Sequence, residues 1–309
     1  MKGFCIVAHL VFTLFLCLRV AMPLAHADTV YLSTANANTI DKFDSSGNGT
    51  VFATASSGLD YPLGLAFDGS GNLYVANARN NTIEKFDSSG QGSVFATSGL
   101  NGPIALAFDS SGNLFAANGG DNTIEEFRAS GTGSVFAAAT SGLDDPAALA
   151  FDSSGNLYVA NYNNTILKFS TNGVASVFAT AGLDNPGGLA FDGNGNLYVA
   201  NGVSTIEKFN SSGQGSTFTS TNLVNLPIDL AFDSSGNLYV ANHGAGDILK
   251  FKPDGIGSVF AYGLEGAANY IAIKFEDIPE PSSLLLTALG GISLVAFLRG
   301  KRRRYGSEM

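Results

Sequence analysis

Residues 146–179 read PAALAFDSSGNLYVANYNNTILKFSTNGVASVFA, and variants of this string return along the chain. The stretch holds four short apolar runs, LAF, NLYVAN, TILKF and SVFA, labelled strands a to d below. Asp152-Ser153-Ser154-Gly155-Asn156 separates a from b, and a second Gly-containing turn separates c from d. Asp, Asn and Gly in those places suit tight hairpins that need positive φ. The unit therefore predicts a four-stranded antiparallel sheet.

Working outward, strand a centres on Phe67, Phe108, Phe151, Phe191 and Phe232, with a weaker copy, Ile271-Ala272-Ile273-Lys274. Measured to Ile273, successive copies are 41, 43, 40, 41 and 41 residues apart. Strand b has its aromatic at Tyr74, Phe115, Tyr158, Tyr198 and Tyr239, with a degenerate copy at Tyr31. Strand c ends at Phe43, Phe86, Phe127, Phe169, Phe209 and Phe251, and strand d carries Phe52, Phe95, Phe136, Phe178, Phe218 and Phe260. Four strands at this period predict the blades of a propeller; a β-helix has a shorter repeat, and no helical periodicity supports an α-solenoid.

The phase of the repeat supplies the blade count. The first copy has b, c and d without a; the last has a alone, at Tyr270–Phe275. Five complete units and one divided between the ends give an all-β, six-bladed β-propeller over residues 28–277. Its last strand closes the ring as the inner strand of the first blade, which removes an unpaired edge.

The unit P-x-G-L-A-F-D-x-x-G-N-L-Y-V-A-N-x-x-x-x-T-I-x-K-F resembles the NHL repeat, over about residues 29–276. That resemblance implies six blades and either an interaction surface or an enzyme. Lactonase-like propellers hold a divalent metal through Glu, Asn and Asp, and virginiamycin B lyase-like propellers use a His with a metal. Many NHL units end strand b in Asp, whereas this chain has Asn77, Asn118, Asn161, Asn201 and Asn242. The change removes a ring of carboxylates near the channel mouth.

Both ends read as addresses. Lys2, the apolar run Phe4–Val20 and Ala25-His26-Ala27 form the three parts of a secretory signal peptide, residues 1–27. At the other end Pro279-Glu280-Pro281 leads into an uncharged run, 284–298, then Arg299 and the cluster Lys301–Arg304. From Ser282 to Leu298 is 17 residues, the shortest length that spans a bilayer. The basic cluster is expected to stay cytoplasmic and the body outside. Residues 278–309 resemble the PEP-CTERM sorting signal of Gram-negative bacteria. That resemblance implies a transient membrane anchor, an exosortase as processing partner, and delivery to the envelope or beyond.

Composition narrows the chemistry. The formal charge is −10, and much of the basic charge lies in the tail, so nucleic acid is not an expected partner. Cys5 and Cys17 fall in the signal peptide, which leaves the body without thiol chemistry. His243 is the one histidine beyond residue 27, so a multi-histidine metal site is not available. No cofactor is implied, and a divalent metal at the channel mouth has no support in the sequence.

Candidate binding residues are sought where the repeat breaks. At the position before strand a's LAF, four units carry Gly64, Ala105, Ala148 and Gly188; the last two carry Asp229 and Tyr270. His243 follows Asn242 at the end of a neighbouring strand b, on the same expected face. Asp229, His243, Tyr270 and Asn242 could together bind a polar ligand or move a proton. A second series, Asp60, Asn101, Asp144, Asp184 and Glu265, follows Gly-Leu in five d–a loops and reads as an acidic rim. Asp68, Asp109, Asp152, Asp192 and Asp233 belong to separate a–b turns on the opposite face and do not converge. The expected function is a secreted or envelope-associated, non-enzymatic binding or scaffold propeller whose partner is an extracellular polysaccharide or protein. The alternatives are a metal-dependent lactonase- or lyase-like enzyme and a purely structural surface protein.

Overall fold

The computed structural model describes residues 28–202, 204–219, 221–262 and 269–275. The expected signal peptide at 1–27, the expected sorting motif Pro279-Glu280-Pro281, the apolar run 284–298 and Glu265 lie outside the described residues. Among the described residues no helix is long and apolar enough to cross a membrane.

Six four-stranded antiparallel sheets follow one another in chain order. The fourth, Pro146–Phe151, Leu157–Asn161, Thr165–Phe169 and Ala175–Ala179, is the stretch quoted above. Each a–b hairpin is set by its aspartate. In the second blade Asp68 Oδ1 accepts the backbone N–H groups of Ser70 and Asn72 at 2.9 and 2.8 Å. Gly71 in that turn has φ +79°, a conformation that favours glycine. Lysines from strand c then reach these aspartates at 3.4–3.6 Å, as Lys85–Asp68, Lys168–Asp152, Lys208–Asp192 and Lys250–Asp233.

Blades are cemented by aromatic edges. Tyr158 of the fourth blade meets Phe178 of its own outer strand and Phe191 of the fifth blade, with centroids 4.9 and 5.0 Å apart. The same triad recurs around the ring, for example Tyr74 with Phe95 and Phe108. Each edge-to-face pair adds about 0.5–1.5 kcal/mol beyond its burial.

Ring closure follows the divided blade. Ile271–Lys274 pairs antiparallel with Thr29–Thr34, Leu32 opposite Ile271 and Thr29 opposite Lys274. The strand is shorter than the expected 270–275, yet the Tyr270 carbonyl still accepts the Ser33 N–H at 2.9 Å. Asp28 reaches back to the sixth blade, where its Oδ2 accepts the N–H and hydroxyl of Ser234 at 2.7 and 2.6 Å.

Candidate functional site

The face bearing the b–c and d–a loops is built on asparagine. The Asn that ends strand b is almost fully buried in five blades. Its Oδ1 accepts a backbone N–H from the d–a loop, at Asp60, Asn101, Asp144, Asp184 or Asn225, at 2.7–3.3 Å. Its Nδ2 donates to a carbonyl two residues earlier in that loop and to Thr or Asp at the start of strand c. For Asn161 these are Gly142 O at 3.2 Å and Thr165 Oγ1 at 3.0 Å. A carboxylate could accept the N–H but could not donate, so the amide fits where Asp does not. A second set of asparagines links neighbouring blades: Asn38, Asn81, Asn122 and Asn164 accept from Tyr61, Gly102, Asp145 and Asn185 at 2.6–2.7 Å.

Inside this frame six inner strands converge. A Cβ added to Gly64 would stand 2.6–2.9 Å from Ile104 O, Ala105 Cα and Leu106 N. One added to Gly188 would stand 2.5–2.8 Å from Asp229 and Ile228 atoms. The small residues of this ring therefore answer to backbone packing around the axis. The ring borders a cavity of about 120 Å³ lined by Gly64, Ala105, Ala148, Asp229, Tyr270 and the leucines beside them.

Asp229 and Tyr270 meet at this cavity. Asp229 Oδ2 accepts the Ile271 N–H at 3.0 Å, which ties the sixth blade to the closing strand. Burial pushes its pKa up to about 7, against smaller lowering by the hydrogen bonds from Ile271 and Leu230. The Tyr270 side chain crosses the channel to the opposite blade, where its hydroxyl donates to Ala147 O at 3.4 Å. Burial, then the charges of Asp229, Tyr162 and Asp145, holds its phenol well above the usual range. Leu63, Ile104 and Ile228 pack against the core cluster that contains Tyr270.

Other expected site residues lie elsewhere. Asn242 sits in the asparagine frame: its amide accepts from Asn225 N and donates to Leu223 O and Asp247 Oδ1. His243 is half-buried in the b–c loop of the sixth blade and is not among the residues lining the cavity. Asp144 and Asp184 are exposed and Asp60 half-buried on the loop face. Sequence reasoning passed over Ile104, Asp145 and Tyr162. Tyr162 had a signal: it stands after Asn161 where other units carry Ala78, Gly119, Gly202 and His243. It is 48% exposed, and burial followed by the charge of Asp145 raises its phenol pKa.

A profile of the NHL repeat matches residues 59–86. No curated protein matches the chain. A chain in the crystal structure of a nidogen/laminin complex superposes with TM-score 0.72 at 18% identity, over 82% of this chain and 100% of that one. Virginiamycin B lyase from Staphylococcus aureus gives 0.61 at 17% identity, over 80% of this chain and 88% of that one. A gluconolactonase from Xanthomonas campestris gives 0.60 at 17%, over 82% of this chain and 94% of that one. At such identities the likeness concerns architecture: the chain is a six-bladed propeller with an NHL repeat at residues 59–86, on a fold found in a protein complex and in two enzymes.

Proposed function

We propose that this chain is an exported, envelope-associated binding propeller that presents its b–c and d–a loops to an extracellular partner and performs no catalysis. The observation that carries the reading is the bridged channel. Tyr270 spans the channel to Ala147 among Leu63, Ile104 and Ile228, where an enzyme would gather unlike polar groups around one reacting atom. The signal peptide at 1–27 supports export, and the PEP-CTERM-like tail supports passage through a membrane-anchored stage and processing by an exosortase.

The enzyme alternative rests on Asp229, a carboxyl titrating at about 7 beside the axial cavity. One experiment separates the two. Full-length protein is supplied with calcium or manganese and assayed for lactone opening, alongside a binding screen against extracellular polysaccharides and proteins of the host. Saturable binding without turnover supports the proposal; turnover abolished by Asp229→Asn refutes it. Intact mass of the exported protein tests the addresses: residues 1–27 and the segment beyond Pro281 should be missing, and a full-length mass would refute both cuts.

A further inference from the structure

Among the described residues every lysine–carboxylate ion pair lies on the a–b turn face, where Asp44, Asp87, Asp109 and Asp254 stand without a lysine. On the a–b turn face Asp68, Asp152, Asp192 and Asp233 each have a lysine at 3.4–3.6 Å. The loop face carries Asp60, Asp121, Asp144, Asp145 and Asp184, and among the described residues none of them is in an ion pair. Among the described residues this face carries one arginine, Arg79, which stacks on Tyr61 at 4.4 Å.

Three of the five, Asp121, Asp144 and Asp145, lie in one sector, between the third and fourth blades. Asp145 and Ile104 press on the bare Cα of Gly119 from the d–a loop and the inner strand; a Cβ there would collide with both. Asp144 and Asp145 are adjacent and exposed. Burial, then the charge of Asp144, raises the Asp145 pKa, and among the described residues neither carboxylate has an ion-pair partner. Tyr162 offers a half-exposed ring within the field of Asp145, and Tyr270 lies buried in the same field. The half-buried Ile104 side chain, the half-exposed Tyr162 ring and two adjacent carboxylates suit a long side chain with an aliphatic stem and a cationic head.

Resting on the binding reading above, we propose that the sector Ile104, Asp144, Asp145 and Tyr162 is a docking site for a basic polypeptide, which inserts a lysine or arginine side chain there. The stem lies over Ile104, the head group sits between the two carboxylates, and its charge faces the Tyr162 ring. A neutral glycan would satisfy the hydroxyl-binding groups of the loops but would leave the Asp144–Asp145 repulsion in place.

The test uses full-length protein in nonionic detergent and fluorescein-labelled heptalysine, with heptaserine and dextran as uncharged probes, read by fluorescence anisotropy and calorimetry. Heptalysine should bind, and Asp145→Asn with Tyr162→Ala should weaken it roughly tenfold. Asp144→Asn with Asp145→Asn should do the same; both positions tolerate Asn, including the positive φ of Asp145 (+48°). Asp87→Asn with Asp254→Asn, which removes two exposed charges from the opposite face, should leave binding unchanged. Heptalysine binding no tighter than heptaserine, or equal loss in all three double variants, would overturn the proposal. Dextran bound through Asp145 and Tyr162 with heptalysine unbound would overturn the basic partner and leave the binding propeller standing. Lactone turnover with no probe bound would overturn both.

Discussion

Replacing Asp229 by Asn removes one ionisable group from the channel wall and keeps its shape. The folded-state pKa of Asp229 is about 7 against an ordinary 3.8, because burial disfavours the carboxylate. The sign follows from linkage: a raised folded pKa gives stability that is fully present below the unfolded value and is lost as pH rises through the folded one. Wild-type protein should therefore lose stability between about pH 4 and pH 7 through this group, and Asp229→Asn should not. Three units at about 1.4 kcal/mol each set a ceiling near 4 kcal/mol. Asp229 is partly accessible from the axial cavity, and water there screens the charge, so about 1–2 kcal/mol is the working expectation. The Asn side chain introduces a pH-independent offset, since its amide protons need acceptors. The difference between variant and wild type at each pH is therefore the quantity to read, and other carboxylates cancel in it. Urea unfolding at pH 4 to 8 should show the variant gaining steadily on the wild type. Parallel stability curves across that range would refute the account of Asp229.

Three further outcomes follow from the fold. Removing Tyr270–Phe275 should lower the melting temperature by about 10 °C or more, or prevent folding, because it strips the inner strand from the first blade; calorimetry showing an unchanged transition would refute closure through that strand. Glu84 and Glu125 are buried at positions where the fourth and sixth blades carry Leu167 and Leu249. Burial raises the pKa of both glutamates, so Glu84→Leu and Glu125→Leu should each stabilise by about 1 kcal/mol at pH 8 and by less at pH 4, measured by urea unfolding. Asn161→Ala should cost about 2–4 kcal/mol, since it leaves the Asp144 N–H, the Gly142 carbonyl and Thr165 without their common partner; a loss under 0.5 kcal/mol would contradict the role of the asparagine frame.

Where sequence reasoning succeeded and where it stopped both trace to the repeat. Strand phase and turn chemistry were legible because each is a local pattern copied five or six times, and closure was legible because the missing strand a at one end matched the orphan at the other. Glu84 was not legible. It shares a strand face with Phe86, and in a propeller both faces of a middle strand such as c lie against other blades or their loops. Alternation between apolar and polar therefore does not separate inside from outside, and Glu84 is covered by Gly58 of the preceding loop. The meaning of the Gly and Ala ring was also out of reach. In sequence its small residues only set off Asp229 and Tyr270, whereas in the structure they are what lets the inner backbones approach the axis. That approach leaves a channel narrow enough for one tyrosine to bridge, from the closing strand to a carbonyl 123 residues away in sequence. Asp229 lies next to the same strand and accepts its Ile271 N–H. The two residues that break the ring's smallness thus stand on either side of the junction where the chain's last strand is inserted. The position of those breaks argues that Asp229 and Tyr270 first serve to hold the ring shut; the proposed docking site lies in the loops above them, where Asp144, Asp145 and Tyr162 remain exposed.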